Sequence, residues 1–208
     1  MEYIRRFEQF ILDSADETFD FEAYFTRETA RYTQHIENAF CCKQIKILDA
    51  SSKSSLFALA LSLQGYDVYT IQPPNIVLPD VLQSTLKQTI KQFQWNQSEK
   101  FDVVLLPQNT ISDRLTDTDL AQTLERIFAV LQHDGMLIIT TYFYDALLHS
   151  QRKSTQPQQF VIGDKRCIQL ELWDWNNKGS YLQDDFFIQQ IGERYTIHHS
   201  RSQHRAWR

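Results

Sequence analysis

The clearest hydrophobic pattern in the chain lies between Ile45 and Gln72. An apolar run, Ile45 to Leu48, is closed by Asp49, and a loop of small residues, Ala50 to Ser55, follows. The next segment, Leu56 to Leu63, is apolar enough to be a buried helix, and Gly65 stops it. A second strand is expected over Asp67 to Ile71, ending at Gln72. Strand, loop, helix, strand is the first half of a doubly wound, mostly parallel α/β sheet. Ligands of such sheets bind outside the carboxyl ends of the strands, which places a candidate site at Ala50 to Ser55 and Gln72.

Upstream, Glu2 to Ser14 has the spacing of an amphipathic helix, with Ile4, Phe7 and Ile11 on one face. Ala15 to Phe25 is acidic and aromatic and reads as a loop; Arg27 to Phe40 reads as a second helix. Downstream, the prolines after Gln72 end the strand. Pro79 to Thr85 reads as a short helix, and Leu86 to Trp95 is ambiguous between its continuation and a strand. Phe101 to Leu106 is a buried strand. Thr116 starts a helix running to about Leu131, His133-Asp134-Gly135 turns the chain, and Met136 to Thr141 is the fifth strand.

The period changes after Phe160. Ile168 to Trp175 alternates, with Ile168, Leu170 and Leu172 expected inward and Gln169, Glu171 and Trp173 outward. Asn176 to Gly179 signals a hairpin, Tyr181 to Ile191 the return strand, Gly192-Glu193 a second turn and Tyr195 to Arg205 a third strand. The whole reads as one domain: N-terminal helices over 1–42, a parallel core over 43–150 and an antiparallel meander over 157–208.

Charge and composition narrow the partners. A net charge of −5 disfavours nonspecific binding to nucleic acid or to an anionic membrane. No apolar run is long enough to span a bilayer, and no signal-peptide core follows Met1. Cys41, Cys42 and Cys167 fit neither a disulfide framework nor a zinc pattern, which suits reduced thiols in the cytoplasm. Adjacent strand histidines point to opposite faces, so His198, His199 and His204 read as exposed side chains rather than metal ligands.

The segment around Asp49 resembles the cofactor motif of the class I S-adenosylmethionine-dependent methyltransferases, with Ser51, Lys53 and Ser55 in place of three glycines. Gln72 replaces the acidic residue that the family places after its second strand. FDVVLL, Gln108-Asn109-Thr110 and Leu115-Thr116-Asp117 parallel further family segments. Tyr144-Asp145, the Trp-Asp-Trp hairpin and His204-Arg205-Ala206 are similar to the glycine and sarcosine N-methyltransferase group. The resemblance covers about Lys43 to Arg208 and implies a Rossmann-like methyltransferase sheet with an appended antiparallel meander.

It also implies a site. Asp49, Ala50, Ser51, Lys53, Gln72, Gln108 and Asn109 would line the cofactor, and Tyr142, Tyr144, Trp173 and Trp175 would line a small-molecule substrate. No metal is implied. Lys53 brings bulk and positive charge where a cationic cofactor would lie, and Gln72 has lost a carboxylate for the ribose. The expected protein is therefore a methyltransferase-fold subunit with an impaired site, non-catalytic or weakly active. The alternative is an active S-adenosylmethionine-dependent enzyme acting on a small molecule. The family continues past the Arg-Ala segment with strands that shield strand five, whereas this sequence stops at Arg208. The edge of Met136 to Thr141 is thus expected to be covered by the meander, by a second copy in a homodimer, or by a related methyltransferase subunit.

Overall fold

The computed structural model describes residues 21–40, 44–51, 56–71, 90–107, 109–150, 152–162, 165–176 and 179–208. The expected helices over 2–14 and 79–85, the thiols Cys41 and Cys42, and the site residues Lys53, Gln72 and Gln108 lie outside them. The described chain runs α1 (Phe21–Ala39), β1 (Lys46–Asp49), α2 (Leu56–Leu63), β2 (Asp67–Thr70), β3 (Ile90–Gln92) and β4 (Phe101–Leu106). A 3₁₀ turn (Thr110–Asp113), α3 (Asp117–Val130), β5 (Leu131–Ile139) and α4 (Tyr144–Ser150) follow. The chain ends in β6 (Gln158–Ile162), β7 (Lys165–Trp175), β8 (Ser180–Ile191) and β9 (Arg194–Arg205).

The first five strands form one sheet in the order β3-β2-β1-β4-β5, with every pair parallel. The order reverses between β2 and β4, on either side of β1, which is the switch point where such sheets bind ligands. Adjacent residues of β1 and β4 go to opposite faces, and both faces are buried. Ile47, Val103 and Leu105 pack with Ile36 and Phe57. Leu48, Val104 and Leu106 pack with Phe93 and Ile127 on the other side. Thr116 caps α3 by accepting the Asp119 amide at 3.1 Å, the role its sequence position signals.

Three features depart from the sequence reading, and one settles a choice it leaves open. Helix α1 includes Phe21 to Phe25, the described end of the acidic-aromatic stretch that reads as a loop. The ambiguous segment before Trp95 contains a short strand, β3, parallel to β2. Strand five starts early: Leu131 pairs with Phe101 before a register shift, and Met136 then resumes pairing at Val103. Asp134 takes a left-handed conformation within that irregular stretch, with φ 62°. The meander has four strands, β6-β7-β8-β9, in a sheet of its own.

The meander pairs no strand with β5, so the five-stranded sheet leaves β5 at its edge among the described residues. The two hairpins expected from the sequence are present. Gly179 at φ 77° and Gly192 at φ 61° close β7 to β8 and β8 to β9. The assignment of faces on β7 is reversed, however. Trp173 is buried and Leu172 is 39% exposed. Trp-Asp-Trp puts aromatics on one face while Ile168, Leu170 and Leu172 occupy the other, so periodicity alone could not choose the inner side. The aromatic side packs inward against Tyr144 and Tyr181.

Candidate functional site

The carboxyl ends of β1 and β4 open onto two groups of polar side chains. The first is small. Asp49, the last residue of β1, is 1% exposed. Its Oδ1 accepts the Ser51 amide at 2.9 Å, a local turn that holds the start of the loop. Ala50 and Ser51 are buried beside it. Asp49 Oδ2 and Ser51 Oγ are buried, and among the described residues neither has a hydrogen bond of standard geometry. Burial pushes the Asp49 carboxyl up to about 6, against the lowering pull of the Ser51 hydroxyl and amide. A buried carboxylate oxygen with no partner is costly, and a cationic or neutral donor placed against it would relieve that cost.

The second group joins the parallel sheet to the meander through Asn109, which follows β4 in a left-handed conformation, φ 61°. Its Nδ2 donates to Ser112 Oγ at 3.0 Å and to the Tyr181 hydroxyl at 3.2 Å. Its Oδ1 accepts from Thr141 Oγ1 at 2.9 Å and from the Tyr144 hydroxyl at 2.7 Å. Tyr144 and Tyr181 hydroxyls are 3.0 Å apart. Tyr144 has spent its proton on Asn109, so Tyr181 donates to Tyr144, and the three residues close a ring. Both protons and both lone pairs of the Asn109 side chain are then occupied within the protein. A ligand reaching Asn109 must displace a tyrosine.

The ring continues into the meander. Ser112 donates to the Asn109 carbonyl at 2.7 Å and lies 3.0 Å from His204 Nδ1. His204 Nδ1 also lies 3.0 Å from Asp113 Oδ1, and its Nε2 is 2.6 Å from Ser202 Oγ. With the Ser112 proton committed, Nδ1 carries a proton directed at Ser112 and Asp113, and Nε2 meets the Ser202 hydroxyl. His204 is 2% exposed, which corrects the reading of it as an exposed strand histidine. A polar residue near the end of a strand looks solvated in sequence; here Asp113 and the two serines satisfy it.

Over this ring stands the aromatic group expected from the sequence. Tyr142, Tyr144, Trp173 and Trp175 are brought together, and Tyr181 completes the group. Ring centroids are 5.8 Å apart for Tyr142 and Trp173, 6.3 Å for Trp173 and Trp175, and 4.5 Å for Trp175 and Tyr181. Trp173 is nearly enclosed, yet its indole Nε1 has no acceptor among the described residues. Trp175 Nε1 donates to the Arg152 carbonyl at 2.7 Å. The Tyr142 ring is 37% exposed, while burial of its hydroxyl end, then the Glu171 carboxylate, drives its pKa upward. Burial and Tyr144 do the same for Tyr181. Both phenols therefore stay protonated at neutral pH. The rings meet tilted or edge-on rather than stacked, and electron-rich aromatics with Glu171 and Asp185 nearby favour a small cation such as a protonated amine.

Of the residues named from sequence, Asp49, Ala50 and Ser51 lie together, Asn109 lies with the aromatics, and Lys53, Gln72 and Gln108 are not described. Tyr181, Ser112, Asp113 and His204 were missed. Tyr181 was accessible to sequence reasoning, because the hairpin register puts it opposite Trp175. His204 follows by one more pairing, opposite Tyr181. Among the described residues, no group of three or more histidine, cysteine or acidic side chains could hold a metal, and no helix is long and apolar enough to cross a membrane.

No family model matches the chain. In sequence it is similar to the glycine/sarcosine N-methyltransferase of Aphanothece halophytica, 26% identical over 138 residues. That match takes in 62% of this chain and 52% of the relative, so the chain spans about half the length of the curated relative. In structure it is similar to an S-adenosylmethionine-dependent methyltransferase of Clostridium acetobutylicum, with a TM-score of 0.64 at 12% identity, over 91% of this chain and 76% of the other. It is also similar to CalS10, an amino pentose methyltransferase from Micromonospora echinaspora, with a TM-score of 0.65 at 11% identity, over 93% and 86%. The fold is that of the class I S-adenosylmethionine-dependent methyltransferases.

Proposed function

We propose that this chain, which has the class I methyltransferase fold, binds S-adenosylmethionine with reduced affinity at the end of β1 and directs it toward a small amine held by the aromatic group. The observation that carries the reading is the buried Asp49 Oδ2 at the sheet's switch point, which has no hydrogen bond of standard geometry among the described residues. The cofactor's methionine end carries an ammonium, the kind of donor that oxygen lacks. Ala50 and Ser51 carry only short side chains beside that oxygen, so the described residues fit that end of the cofactor. The bound cofactor would supply an electrophilic methyl group. The chain's own part is to hold and orient against Tyr142 and Trp173 an amine whose nitrogen takes the methyl only in its neutral form, its proton having gone to solvent, and which becomes cationic again once methylated, because such a transfer depends on proximity and alignment. Trp173 Nε1, without an acceptor among the described residues, suits a carboxylate on the same substrate, as in glycine or sarcosine.

A second reading is favoured by the sequence at Lys53 and Gln72. There a lysine replaces a glycine and a neutral amide replaces the acid expected at the ribose. Loss of charge-assisted bonds of ~1.5–3 kcal/mol each weakens binding by about tenfold to a hundredfold per bond. On this reading the chain is a non-catalytic or weakly active subunit. In either case it is assigned to the cytoplasm, where its thiols stay reduced. Transfer of labelled methyl from S-adenosylmethionine to glycine, sarcosine and a panel of small amines separates the readings. Turnover that is lost in Trp173→Phe supports the enzyme. Cofactor binding with no transfer to any amine supports the non-catalytic subunit.

A further inference from the structure

The side chains that hold Asn109 come from two ends of the chain. Ser112 lies in the turn after β4, and His204 lies on β9, 92 residues further along. Both are buried. The Nδ1 proton of His204 is directed at Ser112 Oγ and Asp113 Oδ1, each 3.0 Å away. Ser112 Oγ donates to the Asn109 carbonyl at 2.7 Å and accepts from Asn109 Nδ2 at 3.0 Å. The imidazole thus stands one oxygen away from both the backbone carbonyl and the side-chain amide of Asn109.

Asn109 needs that support. It is a non-glycine residue at φ 61° and ψ 20°, a backbone state that persists only where its surroundings fix it. Ser112 fixes it through its amide and its hydroxyl, both donated to the Asn109 carbonyl. The hydroxyl keeps that direction because donors occupy its lone pairs, and His204 is one of them. Tyr181 gives His204 a second route to the same place. Strand register sets Tyr181 between Trp175 on β7 and His204 on β9. Its ring centroid is 4.5 Å from that of Trp175 and 5.2 Å from that of His204. Its hydroxyl accepts from Asn109 Nδ2 at 3.2 Å and lies 3.0 Å from the Tyr144 hydroxyl.

We propose that His204 is a positioning residue for the aromatic site: through Ser112 it sets Asn109, and with it the Tyr144 and Tyr181 hydroxyls on which Trp173 and Trp175 rest. What the site holds rests on the amine reading above; the link from His204 to Asn109 does not. Stability alone does not call for an imidazole here. Apolar groups of the same shape can replace a buried polar pair at little cost, whereas a satisfied polar network specifies one arrangement. The nitrogen that carries the role is Nδ1, because Nε2 meets Ser202 on its own strand and is not on the path to Asn109.

Two substitutions separate the nitrogens. An asparagine amide nitrogen stands near the place of Nδ1, and a glutamine one near the place of Nε2. His204→Asn should therefore keep the donor to Ser112, and His204→Gln should lose it. The readout is the Asn109 side-chain amide in nitrogen NMR spectra of the isotopically labelled whole chain, assigned by its loss in Asn109→Asp. Its protons should exchange with solvent at least about tenfold faster in His204→Gln and within about twofold of wild type in His204→Asn. Sarcosine binding, followed by tryptophan fluorescence, should weaken about tenfold in His204→Gln and about twofold or less in His204→Asn. Circular dichroism verifies folding. An Asn109 amide unchanged in folded His204→Gln overturns the inference. Equal loss in both variants also overturns it, because a merely structural histidine would behave that way. A wild-type Nδ1 without a proton, read from the imidazole nitrogen shifts, overturns it even if His204→Gln does not fold. If wild type binds no sarcosine while the amide spectra still separate the variants, the amine reading fails and the positioning role of His204 stands.

Discussion

Replacing Asp49 by asparagine isolates the buried carboxyl at the proposed cofactor site. The side chain is 1% exposed, and its carboxyl is pushed from 3.8 up to about 6 by burial. A folded pKa above the unfolded one means that protons hold on longer in the native state. No penalty exists below the unfolded value. Native stability is then lost as pH rises through about 6 and the loss is complete above that. A shift of about two units corresponds to ~3 kcal/mol at neutral pH and above, roughly half of it already present at pH 5. Asparagine keeps the acceptor for the Ser51 amide and puts a neutral, equally unpartnered nitrogen where the protonated oxygen stood. Urea unfolding of wild type and Asp49→Asn across pH 5 to 8 reads the difference. The variant should gain on wild type by ~1.5 kcal/mol over that interval. Parallel stability profiles would refute the reasoning, because they would mean that Asp49 is solvated or already paired.

Tyr181→Phe opens the hydroxyl ring, leaves one Asn109 proton and one Tyr144 lone pair unpaired, and should cost ~1–3 kcal/mol by urea denaturation. Gly135→Ala would place a Cβ 2.9 Å from Leu131 Cγ and 3.0 Å from the Gln132 carbonyl, and should lower stability by ~1–3 kcal/mol in the same assay. The double change Lys53→Gly with Gln72→Asp should tighten S-adenosylmethionine binding at least about tenfold by calorimetry. An unchanged affinity in the folded variant would remove those two residues as the cause of weak binding.

The parallel core was legible because its signals are local and agree with one another. Apolar runs, a closing Asp49, Gly65 after a helix and Thr116 before one each specify a single element, and the elements alternate as a doubly wound sheet requires. The meander was harder. Its turns were readable from Gly179 and Gly192, but both faces of β7 carry large apolar residues, so alternation could not say which face meets the core. That decision is made by long-range contacts: Tyr144 from α4 against Trp173, and Ser112 and Asp113 from the 3₁₀ turn against His204. The same contacts explain the missed residues. Asn109 was found by its motif, whereas its partners Tyr181 and His204 come from distant strands and become neighbours only through hairpin register. That the outward face of the meander is the aliphatic one is invisible until the inner face is fixed.

Calorimetric titration of S-adenosylmethionine into the whole chain, repeated from pH 5 to pH 8, tests the central claim most directly. A cationic donor favours ionised Asp49, so the account predicts weak binding that tightens as pH rises through about 6 and levels off above it. In Asp49→Asn the same titration should lose that pH dependence and weaken at pH 8. Absence of binding by folded protein at about 1 mM ligand and pH 8, where even millimolar affinity is worth ~4 kcal/mol, would contradict the account. Binding unaffected by Asp49→Asn at every pH would contradict the role given to Asp49.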